Sequence, residues 1–241
     1  MNHILIITGG YLNIGYTQEY IKTLSYDKVF AVDKGLEYAD ALGRVPELII
    51  GDFDTVDEKL LDRYEKQLTE ADKKLAEADN QAAEVDRQSV RIIRHPSHKD
   101  QTDTELALYC AKEDNASRVT ILGATGSRLD HVLANIGLLL YACRSGMDAA
   151  IIDEHNRIRL LTSEYGVNEV TIDKAEQYGT YVSLIPVTPV VSGVITKGLL
   201  YSLDNAVIEQ GNGLTVSNEI IEKTARIQIE SGAVLIIESR D

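Results

Sequence analysis

The sequence predicts a mixed α/β protein in which an N-terminal α/β domain is followed by a smaller antiparallel β-sandwich. In the first half, short apolar runs typical of buried strands alternate with helical patterns, which favours a parallel sheet covered by helices. From about residue 156 onward, short strand-like runs are separated by Gly, Pro, Asn and Asp without a further amphipathic helix, which favours an antiparallel sandwich or barrel. A length of 241 residues suits two domains.

Composition excludes several classes of partner. The chain has 38 acidic and 24 basic residues and a formal net charge of -14, which disfavours a nucleic-acid-binding or anionic-membrane-binding surface. Its two cysteines, Cys110 and Cys143, lie in apolar helical patterns and indicate neither a disulfide framework nor a zinc site. The longest apolar stretch, 136–143, is too short to span a bilayer, so we expect a cytoplasmic protein.

The first predicted strand runs from His3 to Thr8 into Gly9 and Gly10, and a helix is predicted over about 17–24. A strand, a glycine turn and a helix form an arrangement that suits phosphate binding, with backbone N–H groups close to a nucleotide. A simple tight turn is the alternative, and both interpretations stay open. The next strand, 28–32, leads to Asp33, whose carboxylate we expect in the same crevice.

A strand ending in glycine presents two carboxylates at residues 48–54. Alternate residues of an extended segment point the same way, so Asp52 and Asp54 can converge on one cation beyond the strand end. A solvated acidic turn is the alternative. Two like charges about 4 Å apart repel by roughly 4 kcal/mol at an effective dielectric near 20. A polyphosphate beside these acids therefore needs a divalent cation, and Mg²⁺ is the natural choice.

The segment from about residue 56 to 88 carries a heptad pattern, with apolar residues at alternating steps of three and four. As one helix it would be roughly 45 Å long at about 1.5 Å per residue. Alanine replaces leucine in the second half, which favours close packing on another helix or on a partner subunit. The seam consists of Leu61, Tyr64, Leu68, Ala71, Leu75, Ala78, Ala82 and Val85.

Two further segments place charged groups after predicted strands. After strand 90–94, an acidic loop leads to Asp103 at the start of a helix over about 104–112, where Asp103 is either a metal ligand or a helix cap. After strand 118–122, a glycine loop precedes a helix over 129–144. The loop residues Thr125 and Gly126 let backbone donors approach phosphates, and a planar guanidinium and a first-turn carboxylate follow at Arg128 and Asp130.

A last strand over 149–153 closes the first domain. We place the boundary there, with a Rossmann-like three-layer α/β domain over 1–153, including the helical insertion at about 56–88, and a β-sandwich over 156–241. In the second domain, the polar stretch at Ser217, Asn218 and Glu219 is on its own no more than an ordinary strand end.

In combination, five motifs resemble the thiamine pyrophosphokinase family. The family pattern runs as Asp-x-Gly, Gly-Asp-Phe-Asp-Ser, Lys-Asp-x-Thr-Asp, Gly-Arg-Leu-Asp-His and Ser-Asn-Glu. In the same order, this chain has Asp33 to Gly35 (DKG), Gly51 to Thr55 (GDFDT), Lys99 to Asp103 (KDQTD), Gly126 to His131 (GSRLDH) and Ser217 to Glu219 (SNE). The chain departs from the pattern at Lys34 and at Ser127, where the family more often has glycine.

The resemblance implies transfer of the diphosphoryl group of ATP to the hydroxyl of thiamine, with AMP as the other product, on a homodimer with shared active sites. It implies Mg²⁺ on Asp52, Asp54 and Asp103, and a catalytic proton acceptor at Asp54 or Asp130, between which the sequence does not choose. The remaining implied roles are orientation of the metals or nucleotide by Asp33, phosphate binding by Gly9, Gly10, Thr125, Gly126 and Arg128, and thiamine binding by Ser217, Asn218 and Asp130.

Two other functions are compatible with parts of the pattern. Clustered aspartates also activate water in metal-dependent phosphohydrolases. A non-catalytic Mg-ATP sensor could use the heptad segment to contact a partner. Neither alternative accounts for the Ser-Asn-Glu element together with the three acidic segments.

Overall fold

The structure is a computed structural model that describes residues 2–66, 90–94 and 101–241. The chain folds into two compact units, Met1–Val132 and Leu133–Asp241. The domain boundary placed at 153–156 from the sequence stays a prediction. In the described part of the chain, every helix is too short or too polar to cross a membrane.

The N-terminal unit contains a five-stranded parallel sheet in the order β5-β1-β2-β3-β4. Its centre is fully apolar: Ile4, Leu5, Ile6 and Ile7 of β1 have no exposed surface. A central strand of a parallel sheet is covered on both faces, which explains this continuous apolar run. The strands are β1 (His3–Ile7), β2 (Lys28–Val32), β3 (Leu48–Gly51), β4 (Arg91–Arg94) and β5 (Arg118–Leu122).

Helices connect these strands, with α2 packed against β1 and β2 and α4 packed against β2 and β3. Local hydrogen bonds fix two of the helix starts. The Asn13 side chain accepts from the Tyr16 N–H at the start of α1, and the Thr102 hydroxyl accepts from the Glu105 N–H at the start of α4. The helices are α1 (Ile14–Lys22), α2 (Gly35–Ala41), α3 (helical over the described residues 58–66), α4 (Asp103–Glu113) and α5 (Leu129–Arg144).

The C-terminal unit consists of two antiparallel sheets with a shared apolar core. One sheet has the order β12-β9-β14-β7-β6 and the other β11-β10-β13-β8. The core joins residues of both sheets, among them Leu161, Leu184, Val194 and Ile227. The strands are β6 (Asp148–Ile152), β7 (Asn156–Thr162), β8 (Glu169–Asp173), β9 (Tyr181–Pro186), β10 (Val190–Lys197), β11 (Ala206–Glu209), β12 (Asn218–Glu219), β13 (Thr224–Gln228) and β14 (Ala233–Ser239).

The predicted fold class is confirmed, a parallel α/β sheet followed by an antiparallel β domain, and the main differences are local. Helix α1 begins at Ile14 rather than near residue 17, because the Asn13 cap starts it earlier. In the C-terminal unit, the sequence predicts strands near 157–161, 169–172, 180–185, 226–229 and 234–238, which correspond to β7, β8, β9, β13 and β14, and it names none for β10, β11 or β12. In β10, Gly193 lies at a φ of +63° where the β10–β11 register shifts, and it interrupts the apolar alternation. The heptad segment beyond residue 66 and the loop 95–100 lie outside the described residues.

Candidate active site

The strand order of the parallel sheet locates its binding crevice. The chain adds β2, β3 and β4 on one side of β1 and then places β5 on the other side, so the order reverses between β1 and β5. In open α/β sheets, ligands bind beyond the carboxyl ends of the strands at such a reversal. The glycine turns after β1 and β5 both lie at this point, as the sequence motifs predict.

Main-chain hydrogen bonds join these two turns. The Gly10 N–H donates to the Gly123 carbonyl over 2.8 Å, and the Tyr11 N–H donates to the Thr125 carbonyl over 2.8 Å. A Cβ on Gly10 would lie 2.2 Å from the Gly123 oxygen, so only glycine allows the approach. The Gly10 N–H, expected to face a nucleotide, is therefore engaged within the protein, whereas Gly9 and Gly126 are exposed at the same edge.

The Asp54 carboxylate, beyond the end of β3, is acted on by the charges of two other carboxylates, Asp52 and Asp103. The Asp54 N–H donates to Asp52 Oδ1 over 3.1 Å, and both residues follow the last residue of the strand, Gly51. The pKa of Asp54 is raised from its ordinary value, mainly by the charge of Asp52, and further by partial desolvation, by the hydrogen bond to Asp52 and by the charge of Asp103. The acidic loop and the start of α4, far apart in sequence, thus lie at one edge of the sheet.

Asp33 borders the same group. It follows β2 at a left-handed φ of 48°, and its N–H donates to the Ile50 carbonyl of β3 over 2.9 Å. A Cβ on Gly51 would lie 1.9 Å from Asp33 Oδ1. The bare Cα of Gly51 is therefore what admits the Asp33 carboxylate beside the chain that leads into Asp52.

The donor set fits a hard divalent cation whose remaining ligands are waters and phosphate oxygens. Among the described residues, no three His, Cys, Asp or Glu side chains form a ready-made metal-ligand set. Mg²⁺ does not need one, because it is usually held by one or two carboxylates, waters and substrate phosphates. The mutual repulsion that raises the Asp54 pKa is the condition that a cation between the carboxylates would relieve.

Arg128 and Asp130 form an exposed pair at the start of α5. The guanidinium donates through Nη2 to Asp130 Oδ2 over 2.7 Å and through Nε to Oδ1 over 3.3 Å. This hydrogen-bonded pairing lowers the pKa of Asp130 and raises that of Arg128. The two aspartates proposed for one role therefore differ in their surroundings. Asp54 is repelled by neighbouring carboxylates, whereas the negative charge of Asp130 is paired with Arg128.

In the C-terminal unit, the polar motif bonds to the main chain of a neighbouring loop. Asn218 Oδ1 accepts from the Tyr201 N–H over 3.0 Å, and its Nδ2 donates to the Tyr201 carbonyl over 2.7 Å. Ser217 lies at a φ of 58°, and its N–H donates to Ser183 Oγ over 3.0 Å. The Asn218 amide is engaged in holding Tyr201, and a direct contact of Ser217 or Asn218 with thiamine stays a prediction.

A mainly apolar cavity of about 270 Å³ opens beside this motif, and Tyr201 at its wall is 67% exposed. The sequence reasoning did not identify Tyr201. The available indication was the apolar run of residues 199–201 directly after a glycine, in a region otherwise rich in polar turns. The lining residues are Val182, Leu184, Thr196, Leu199, Tyr201, Leu203, Leu214, Thr215, Val216 and Asn218.

Comparisons with known proteins agree over the whole chain. The family model described as the thiamin pyrophosphokinase catalytic domain matches residues 21–151, and the one described as the thiamin pyrophosphokinase vitamin B1 binding domain matches residues 168–234. Thiamine pyrophosphokinase from Bacillus subtilis is 30% identical over 246 residues, covering 100% of both chains.

Solved structures give the same result. The crystal structure of the Bacillus subtilis enzyme superposes with a TM-score of 0.80 at 28% identity over 100% of both chains. The structure of thiamin pyrophosphokinase from Geobacillus thermodenitrificans gives a TM-score of 0.74 at 28% identity, covering 99% of this chain and 98% of that one. With the family model covering more than half of its length and a relative matching it from end to end, this chain belongs to the thiamin pyrophosphokinase family of kinase-type enzymes.

Proposed function

We propose that this protein transfers the diphosphoryl group of ATP to the primary hydroxyl of thiamine, forming thiamine diphosphate and AMP. One observation carries the proposal. In a chain of this family, Asp54 is close enough to Asp52 and Asp103 for both charges to act on it, at the carboxyl edge of the parallel sheet near the strand-order reversal. Such an edge binds nucleotides when a cation offsets the charge of the phosphates.

Asp52, Asp54 and Asp103 would hold Mg²⁺, with Asp33 orienting the metals or the nucleotide from the side of Gly51. When bound, the ion neutralises charge on the transferring phosphates. Positioning and charge stabilisation account for most of the catalysis in phosphoryl transfer, so the protein contributes mainly geometry.

The phosphates are proposed to lie against the joined turns after β1 and β5. Gly9, Gly10, Thr125 and Gly126 leave this edge without bulky side chains, and the first turn of the 16-residue helix α5 adds a favourable dipole for anions. Arg128, whose side chain is 68% exposed, can exchange its carboxylate partner for a phosphate oxygen.

In the reaction, the thiamine oxygen bonds to the β-phosphorus, the bond from that phosphorus to the α,β-bridging oxygen breaks, and AMP leaves. The hydroxyl proton needs an acceptor. Asp54 and Asp130 are the two candidates for this role, and Asp130 with Arg128 is also proposed to bind substrate. Turnover of Asp130→Asn compared with that of Asp54→Asn tests which of them matters more.

The thiamine ring is proposed to occupy the cavity of the C-terminal unit. The cavity has apolar walls and an aromatic side chain, Tyr201, which suit a flat heteroaromatic ring. Asn218 would act there by holding the Tyr201 main chain, and Ser217 lies on the adjoining turn.

We also propose a homodimer with shared active sites. Leu129 and Leu133 of α5 are 66% and 60% exposed, an arrangement typical of a helix that packs on a partner subunit. Light scattering should give about twice the chain mass of 26.6 kDa. If the sites are shared, co-refolding of an Asp54→Asn chain with a Leu203→Trp chain, whose cavity is filled, should restore turnover that neither chain has alone.

The decisive assay follows AMP and thiamine diphosphate in the presence of Mg²⁺ and ATP. The proposal expects both products in equal amounts and only when thiamine is present. Phosphate release without thiamine would instead identify a phosphohydrolase, and binding of Mg-ATP without any product would identify a sensor. Asp54→Asn and Asp103→Asn should each lower turnover by orders of magnitude with the fold intact, because each removes a charge that the cation needs.

A further inference from the structure

Phe53 lies between the two aspartates of the acidic loop in an unfavourable backbone conformation. Its φ is +62°, in the left-handed region that a bulky side chain rarely adopts. Such a conformation costs free energy and persists only when the surrounding structure holds it. The contacts that hold Phe53 therefore also determine the path of the chain between Asp52 and Asp54.

The ring of Phe53 is only 7% exposed, and Gly51 and Arg94 lie on either side of it. On one side, its Cε1 lies 3.2 Å from the position that a Cβ of Gly51 would occupy, so the ring fits over the bare glycine. On the other side, the Arg94 guanidinium lies 5.3 Å from the ring centroid. Arg94 ends β4, where it pairs in register with Gly51, and its guanidinium also forms an ion pair with Glu65 of α3.

We propose that Arg94 is a positioning residue for the cation site, acting through the ring of Phe53. With the ring fixed between Gly51 and Arg94, the carboxylates on either side keep one spacing, in which Asp52 Oδ1 accepts from the Asp54 N–H. The inference rests on the metal role of Asp52 and Asp54 in the proposed function. It adds Arg94, a residue of a different strand that cannot itself bind the cation, as a support for the two ligands.

The test measures Mn²⁺ binding without nucleotide, by water-proton relaxation, in the wild type and in Arg94→Met. Mn²⁺ takes the same oxygen ligands as Mg²⁺. Loss of one exposed cation–π contact should weaken Mn²⁺ binding about threefold. Arg94→Lys should recover part of the affinity, because an ammonium group can also lie over the ring.

Arg63→Met is the matched control. Arg63 also lies over an aromatic ring, at 5.4 Å from the centroid of Tyr64, and also forms an ion pair with a carboxylate, that of Asp40. The same kind of contact is lost, but the aspartate loop is not involved, so the Mn²⁺ affinity should stay at the wild-type value.

A double-mutant cycle with Phe53→Leu tests the route of the effect. If Arg94 acts through the ring, Phe53→Leu alone should weaken Mn²⁺ binding, and Arg94→Met in that background should weaken it no further. Hydrogen–deuterium exchange of residues 51–55 should accelerate in Arg94→Met but not in Arg63→Met. This exchange measurement does not depend on metal binding or on turnover.

Two results would overturn the inference: Mn²⁺ affinity and loop exchange in Arg94→Met equal to those of the wild type, or unchanged Mn²⁺ affinity with a raised KM for ATP. The second result would make Arg94 a direct phosphate ligand. If Arg94→Met does not fold, Phe53→Leu and Arg94→Lys give the same comparison. Failure of the proposed function has a different signature, namely wild-type protein that forms no AMP with thiamine.

Discussion

In the acidic loop at residues 52–54, the carboxylates repel one another, whereas the Asn218 side chain forms hydrogen bonds with the main chain of a neighbouring loop. Asp52 and Asp103 raise the pKa of Asp54, while the two polar atoms of the Asn218 amide are both bonded to the Tyr201 main chain. In the first region, a cation from outside the chain would relieve the repulsion between the carboxylates. In the second region, the Asn218 amide has its hydrogen-bond partners within the chain, and the adjoining cavity is mainly apolar.

The largest effect that this comparison predicts is on turnover in the acidic loop. Asp54→Asn should lower AMP formation by about 100-fold or more, because a neutral amide does not attract the cation as a carboxylate does. Asp57→Asn is the control, since Asp57 is a nearby exposed acid that caps α3 by accepting from the Lys59 N–H, which asparagine also does. Near-wild-type turnover in Asp54→Asn would show that the charge of Asp54 is not needed for the reaction.

A second effect concerns how the carboxylates are brought together. Gly51→Ala places a Cβ against Asp33 Oδ1 and should lower the free energy of unfolding by about 1–3 kcal/mol, as overpacking does. Mn²⁺ binding should weaken with it. Gly15→Ala in α1, where the nearest atom to the new Cβ lies at 3.6 Å, should be neutral or stabilising. Urea denaturation compares the variants, and equal stability would show that Asp33 moves aside freely.

The third prediction tests whether Asn218 acts on thiamine binding by holding the Tyr201 loop at the cavity wall rather than by touching thiamine. Asn218→Asp keeps the acceptor for the Tyr201 N–H but sets an oxygen against the Tyr201 carbonyl, so the loop should shift. We expect the KM for thiamine to rise about tenfold, equivalent to roughly 1.4 kcal/mol, with the KM for ATP unchanged. Asn212→Asp keeps its acceptor role toward the Leu214 N–H and should change neither constant.

The smallest effect is on stability without divalent cations. Because the folded state raises the Asp54 pKa, that group favours folding below the ordinary value of 3.8, and the contribution is lost as the pH rises through the raised pKa. At pH 7 the repulsion opposes folding, so Asp54→Asn should have the higher Tm. The difference should shrink below pH 4, and addition of Mg²⁺ should raise the Tm of the wild type more than that of the variant. A lower Tm for Asp54→Asn than for the wild type at pH 7 would show that repulsion of Asp54 by Asp52 and Asp103 does not destabilise the folded state.

Some of this arrangement was predictable from the sequence. Strands β2 and β5 and helix α5 have the predicted bounds, because their apolar runs end at charged residues or glycines. The approach of Asp103 to Asp54 was also predictable, since neighbouring parallel strands end at the same edge of the sheet.

Other features depend on contacts between distant segments, which local patterns do not encode. The engagement of the Gly10 N–H by Gly123 and the hold of Asn218 on Tyr201 each need two loops from separate parts of the chain. The left-handed conformation of Phe53 is also not visible in the sequence, because such a residue is rarely found there.

The hydrogen bonds between the turns after β1 and β5, among them those of the Gly10 and Tyr11 N–H groups, make the two turns move as one unit. Neither turn can be displaced without breaking bonds to the other, so a phosphate that orders the start of α5 also orders the segment before α1. Tyr11 is 57% exposed and bonded through its N–H to Thr125, so its surroundings should change when a nucleotide binds at the turn after the neighbouring strand β5.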